Sequence, residues 1–254
     1  MFCNKKTKLG LCVLTSLLIL TGYKGQAKAT NTKVIKTTVK AEYRELDIPR
    51  YTFRGGITTN ASALEYKGLQ IIKPINLQTN KQLLKSKQIL KEFKKLPKTL
   101  SINIKQIQLL DYQNVEDEYW AETYNMKDLR SYATGADNKI YFYANEHFTL
   151  ERNIGSLFPT LLHESSHLLD DKMAIENKRF SDSKEWADAM ENDLILKDVS
   201  EFGLYCSSYS QKSESNTEDF AEAIMYFVID KDNFTENYPC RSKKIEQILN
   251  DSIL

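Results

Sequence analysis

The sequence is poor in histidine, with only 3 residues in 254, and in glycine and proline, with 9 and 5. The sparse glycine and proline, together with the lack of any internal repeat or low-complexity tract, leave no clear second domain to mark. The formal net charge is only +1. A polyanion-binding protein usually presents a basic face, so a near-neutral chain argues against nucleic acid as a partner. The only sustained apolar run, Leu9 to Leu20, is broken by Gly10, Thr15 and Ser16. It is short for a bilayer span of about 20 apolar residues.

That run instead fits a secretory signal peptide over residues 1–29. Lys5, Lys6 and Lys8 precede it without an acid, and Gln26-Ala27-Lys28-Ala29 ends it with small residues where a signal peptidase cuts. The expected product is a secreted, extracellular chain with no stable membrane anchor. Cleavage removes five lysines and no acid, taking the formal charge from +1 to about −4. About 225 residues remain, enough for one domain of ordinary size or two small ones. Residues 30–60 are polar and threonine-rich and read as an N-terminal extension, leaving 61–254 as the folded domain. Of the four cysteines, Cys206 and Cys240 persist. An even pair in an exported chain is either a disulfide or two free thiols.

The pattern of apolar residues predicts a lysine-faced helix over Asn80–Leu96 ended by Pro97, then strands over Ile102–Leu110 and Asn138–Tyr143. In the second strand Ile140 and Phe142 share one face, Tyr141 and Tyr143 the other. Helices follow over 156–171, 183–197, 217–229 and 241–249. Strands and helices in separate blocks suggest α+β.

The helix over 156–171 carries the chemistry. Ser156 is a candidate N-cap, and Pro159 falls in the first turn, where a missing N–H costs little. His163 and His167 are four residues apart, so they lie about 40° apart on one face and suit a single tetrahedral Zn²⁺. Glu164 sits one step round, within reach of a zinc-activated water without being a ligand. Leu161, Leu162, Leu168 and Leu169 occupy the opposite side, which the core can bury. His-Glu-x-x-His arises by composition in well under about 1% of such chains.

A catalytic zinc needs a third protein ligand and keeps a fourth position open. An extended three-histidine motif is excluded, because Asp170 and Met173 stand where Gly and His would be required. The remaining histidine, His147, has no motif around it. A carboxylate on a second helix is therefore expected, and Thr217–Ile224 offers Glu218 and Glu222 one turn apart, backed by an apolar stripe of Phe220, Ile224, Phe227 and Val228. Glu218 also fits a capping box with Ser215. A zinc site lacking its third ligand favours the metal role. Asp170 is too local to reach zinc from a third direction. Its expected work is to accept the free ring N–H of a ligand histidine or to pair elsewhere.

The stretch His163-Glu164-Ser165-Ser166-His167-Leu168-Leu169-Asp170-Asp171, followed by Glu218-Asp219-Phe220-Ala221-Glu222, resembles the catalytic domain of anthrax toxin lethal factor. It is also similar to the small secreted Pro-Pro endopeptidases of that family, which are closer in size. The resemblance covers about 139–229 and fades towards about 60. It implies a small zincin-like (gluzincin) metalloprotease domain with a short sheet, an active-site helix and a helical C-terminal half. It further implies one Zn²⁺ held by His163, His167 and Glu218, with Glu164 as general base and Glu222 in support of the ligands. A tyrosine just before the third ligand would assist catalysis: Tyr209, with Tyr205 as the fallback. Two departures stand out. Ser166 replaces the family's usual glycine, and residues 210–216 lengthen the spacing between Tyr209 and Glu218.

On this reading the chain is a secreted zinc metalloendopeptidase acting on an extended peptide or protein substrate, with toxin-like relatives. Tyr209 would steady the oxyanion, and the strand Lys139–Tyr143 would offer an edge to the peptide. The competing readings are an inactive metalloprotease-like binding module and a cell-wall hydrolase of another zinc class.

Overall fold

The computed structural model describes residues 42–75, 85–123, 133–143, 157–196 and 203–250. The signal segment, Ser156 and His147 lie outside these residues, as does the first part of the expected Asn80–Leu96 helix.

A mixed six-stranded sheet forms one side of the fold. Its strands are β1 (Arg44–Thr52), β2 (Thr58–Tyr66), β3 (Leu69–Pro74), β4 (Gln106–Leu109), β5 (Ala133–Ala136) and β6 (Lys139–Phe142), in spatial order β1-β2-β3-β4-β6-β5. The chain enters through two antiparallel pairings, β1 with β2 and β2 with β3. It then runs parallel from β3 to β4 to β6, and β5 closes the row antiparallel to β6. Two turns use residues with positive φ, as tight hairpins require: Lys67-Gly68 between β2 and β3, and Asp137-Asn138 between β5 and β6.

Residues 44–52 and 58–60 are thus strands of the sheet rather than a loose extension, joined by a short 3-10 turn at Arg54–Gly56. Their polarity reflects position. β1 is an edge strand whose residues alternate between exposed and half-buried, and it tolerates Pro49 beside a register shift between Ile48 and Tyr51. The strand expected over Ile102–Leu110 shortens to β4. Pro97 starts a helical turn, α2 (Lys98–Ser101), and Asn103 donates its side-chain amide to the Thr99 carbonyl at 3.0 Å, holding the chain out of the sheet until Gln106.

Helices cover one face. α1 (Ser86–Phe93) buries Ile89, Leu90 and Phe93 and leaves its lysines exposed. α3 (Asp117–Thr123) precedes the β5–β6 hairpin. The rest is helical: α4 (Leu157–Lys172), α5 (Lys184–Leu196), α6 (Ser208–Ser213), α7 (Asn216–Ile229), α8 (Lys231–Asn237) and α9 (Pro239–Asn250). The protein is therefore α+β with a helical C-terminal half. No helix among the described residues is long and apolar enough to cross a membrane.

The main core lies between the sheet and the helices. Ile140 and Phe142 of β6, Leu161, Leu162, Leu168 and Leu169 of α4, and Phe220, Ile224 and Phe227 of α7 all belong to it. Tyr141 and Tyr143 point to the other face, into a smaller cluster with Phe53, Ile72 and Leu110. The alternation read from β6 thus places its side chains on the two expected faces.

Candidate metal centre

α4 packs against α7 on one side and β5 on the other. Its leucines fix its rotation, so His163, Glu164 and His167 turn towards a cleft of about 270 Å³. That cleft is also lined by β5, Arg54, Glu116, Tyr209, Thr217 and Glu218. Ser165 and Ser166 both return their hydroxyls to the Leu162 carbonyl, at 2.9 and 2.8 Å. Ser166 is fully buried, so the serine in place of glycine is absorbed by the helix's own backbone.

α7 begins at an N-cap, Ser215, whose hydroxyl accepts from the Glu218 N–H at 3.3 Å. Only that half of a capping box forms, because the Glu218 carboxylate goes to the imidazoles instead. Its Oε2 lies 3.2 Å from His163 Nε2 and 3.5 Å from His167 Nε2, and the two Nε2 atoms are 3.0 Å apart. Zinc bonds of about 2.0–2.1 Å at tetrahedral angles separate ligand atoms by about 3.3 Å, so this triangle has the right size for one such ion. His163, His167 and Glu218 are the group of potential metal ligands among the described residues.

The polar bookkeeping also suits a cation. Glu218 Oε2 is buried and has no hydrogen-bond partner, so its approaches to the imidazoles are close but poorly aligned. His163 Nδ1 lies 2.9 Å from Glu222 Oε1. A carboxylate accepts, so Nδ1 carries a proton, which leaves Nε2 as the ring nitrogen that would bind a metal once deprotonated. Two Nε2 atoms and an orphaned carboxylate oxygen then face one point, an arrangement costly without a positive charge there. Burial alone would lower the His163 pKa, but the Glu218 and Glu222 carboxylates outweigh it and raise it well above the usual imidazole value. Burial would raise Glu218, yet the two imidazoles hold its carboxyl far below the carboxylate range. Glu164 is only 7% exposed; burial raises its pKa, partly offset by the imidazoles and by a hydrogen bond from the Gly135 backbone.

Of the other expected site residues, Tyr209 stands at the cleft, its ring centroid 6.0 Å from that of His163. Tyr205 is not among the cleft-lining residues and packs against the main core. The stretch after Tyr209 that lengthens the spacing to Glu218 is mostly helix. Ser207 caps α6 through Ser210, and Glu214 adopts a left-handed conformation that turns directly into the α7 cap. Asp170 takes the second of its two expected roles. Its Oδ1 accepts from Ser181 N at 2.9 Å, and its buried Oδ2 has no hydrogen-bond partner, so it supports the loop after α4 rather than a histidine. Cys206 and Cys240 are free thiols. The Cys206 Sγ points at the Asp219 carbonyl, 3.6 Å away, and the Cys240 N–H donates to Asp193 at 2.6 Å.

Several contributors were missed. β6 is internal, flanked by β4 and β5, so it offers no edge; the strand beside the cleft is β5. Asp137-Asn138 ahead of a strand was a readable hairpin signal that implied such a partner. Arg54 and Glu116 gave no sequence signal, being isolated residues far from the motif. Behind the site, fully buried Arg241 donates to Asp219 at 2.8 and 2.9 Å and to Asp193 at 2.9 Å, while Asp219 also accepts from Cys206 N at 2.7 Å. This network locks α5, α7 and α9 together one residue from Glu218.

No protein-family model matches this chain, and no curated protein is significantly similar to it.

Proposed function

We propose that the protein is a secreted zinc metalloendopeptidase with a zincin-like (gluzincin) fold, similar to the lethal factor catalytic domain and the Pro-Pro endopeptidases. The observation that carries this reading is the convergence of His163 Nε2, His167 Nε2 and Glu218 Oε2 to within 3.0–3.5 Å of one another beside Glu164. His163, His167 and Glu218 would hold the metal, and Glu222 orients His163. Zinc, when bound, supplies Lewis acidity that polarises a peptide carbonyl and acidifies a water.

The chain's own residues do the rest. Glu164, buried and with a raised pKa, takes the proton of the attacking water and returns it to the leaving amine. Tyr209 lines the cleft with its ring centroid 6.0 Å from that of His163, where its phenol can donate to a developing oxyanion. Among the described residues β5 ends the sheet, so an extended peptide can add to it as a further strand and be held along the cleft.

The test is turnover of casein, gelatin and a randomised peptide library by purified protein, with metal content measured in parallel. The expected result is one zinc per chain, cleavage abolished by a chelator and restored by zinc, and loss of cleavage in Glu164→Gln with zinc retained. Zinc binding without cleavage of any substrate would favour the inactive binding module.

A further inference from the structure

Arg54 lines the same cleft from the face of the sheet opposite α4. It is held unusually firmly for a loop residue. Its N–H donates to Gln108 Oε1 at 3.2 Å, its carbonyl accepts from the Tyr112 hydroxyl, and its guanidinium lies 4.5 Å from the centre of the Tyr141 ring. A single nitrogen, Nη2, serves both oxygens of Glu116, each at 2.8 Å. A guanidinium carries five N–H donors, so Glu116 is committed while Arg54 keeps donors beyond that pair and the Tyr141 hydroxyl it also meets. Exposure sharpens the asymmetry: the Arg54 side chain is 20% exposed and Glu116 42%. The less hydrated member is the cation, and it gains more from a second anion. The other charged pair at the cleft, Arg179 with Asp171, is 43% and 39% exposed and so more heavily screened.

β5 relates Arg54 to a bound peptide. Ala133 belongs to the main core and Gly135 lies against Glu164, whereas Thr134 meets the Tyr143 hydroxyl at 3.1 Å and Ala136 packs on the Tyr141 face. Side chains of a peptide paired to β5 alternate in the same way. Every second one therefore points towards the face that carries Arg54.

From this placement, and resting on the peptidase reading above, we infer that Arg54 is a specificity-determining residue that selects an acidic side chain, aspartate or glutamate, at one position of the substrate near the scissile bond. Glu116 holds the guanidinium in its fork-presenting pose and tempers its charge when no substrate is present.

Labelled peptides carrying Glu, Gln or Lys at one position at a time test this in two ways. The first is kcat/KM with the zinc-loaded protein, and the second is binding to the Glu164→Gln protein by fluorescence anisotropy. At one position Glu is expected to exceed Gln by about tenfold and Lys by more. Arg54→Gln should bring the Glu-to-Gln ratio to within about twofold, and Glu116→Gln, which frees the guanidinium, should raise it. Thermal melts of both variants would show that they are folded. Cleavage without an acidic preference at any position, or a preference that survives Arg54→Gln, overturns the inference. Should no peptide be cleaved, the catalytic reading fails instead, and the binding ratio still decides the role of Arg54.

Discussion

Gly135 of β5 is packed against the backbone of Glu164 so tightly that a Cβ at position 135 would lie 2.6 Å from the Glu164 carbonyl oxygen and 3.4 Å from its carboxylate Oε2. The placement of β5 and of Glu164, the proposed general base, thus rests on one contact. Gly135→Ala forces β5 and α4 apart, because the obstructing atom is backbone and cannot swing away. Overpacking of this kind costs about 1–3 kcal/mol. Urea unfolding should register that loss, and turnover should fall with zinc content unchanged. Wild-type turnover in the alanine variant would show that the strand and the base are not coupled through this contact.

Glu218 and Glu222 share a helix face but meet the histidines differently: Glu218 at Nε2 of both, Glu222 at Nδ1 of His163. Glu218→Ala removes a ligand atom and should lower zinc affinity severely. Glu222→Ala leaves all three ligand atoms but frees the His163 ring, which typically costs 10–100-fold in affinity. Competition with a chromophoric chelator separates the two. The reverse order would assign Glu222 to the metal and return Glu218 to the Ser215 cap.

How much of this was legible depended on whether the signal was local. The His163–His167 spacing, the leucine side of α4 and the stripe of α7 are helical periodicities, and the structure brings those residues together where the pattern put them. β6 was legible because Ile140, Tyr141, Phe142 and Tyr143 alternate. β5 was not: Ala-Thr-Gly-Ala is four small residues without an apolar rhythm, and it is small because α4 lies against it. β1 looked like a tail because edge strands are polar. α6 was hidden because Ser210, rather than a glutamate, completes its capping box. The Asp193–Arg241–Asp219 network joins residues far apart in the chain, and no pattern in a single sequence announces such a contact.

That network should be a point of fragility. Arg241, Asp193 and Asp219 are each no more than 2% exposed. Arg241→Met leaves two buried carboxylates without their cation, a change that typically costs about 3–5 kcal/mol. The exposed pair Lys231–Glu246 serves as the control, since Lys231→Ala should cost under about 1 kcal/mol. Urea denaturation of the two variants makes the comparison. Equal, small effects would mean that the carboxylates of α5 and α7 take up protons or water without loss, and that the network does not brace the ligand helix.

Tyr209 and Tyr205 offer the sharpest test of the chemistry, because they lie four residues apart and differ in surroundings. Tyr205 packs on the main core, and burial raises its phenol pKa. Tyr209 is 42% exposed at the mouth of the cleft, carried by α6, whose left-handed end at Glu214 joins it directly to the Glu218 helix. The short join couples the position of Tyr209, the proposed phenol donor, to that of Glu218, the proposed ligand. Removing an oxyanion donor usually costs about 10²–10³ in kcat. Tyr209→Phe should show a fall of that order with KM and zinc content little changed, since the ring and its packing remain. Tyr205→Phe should change kcat by less than about threefold, because that hydroxyl is not at the cleft. Steady-state kinetics on one peptide substrate decides it. A large loss in Tyr205→Phe with none in Tyr209→Phe would place the oxyanion donor on the other side of the Ser207 cap and require α6 to reorganise when substrate binds.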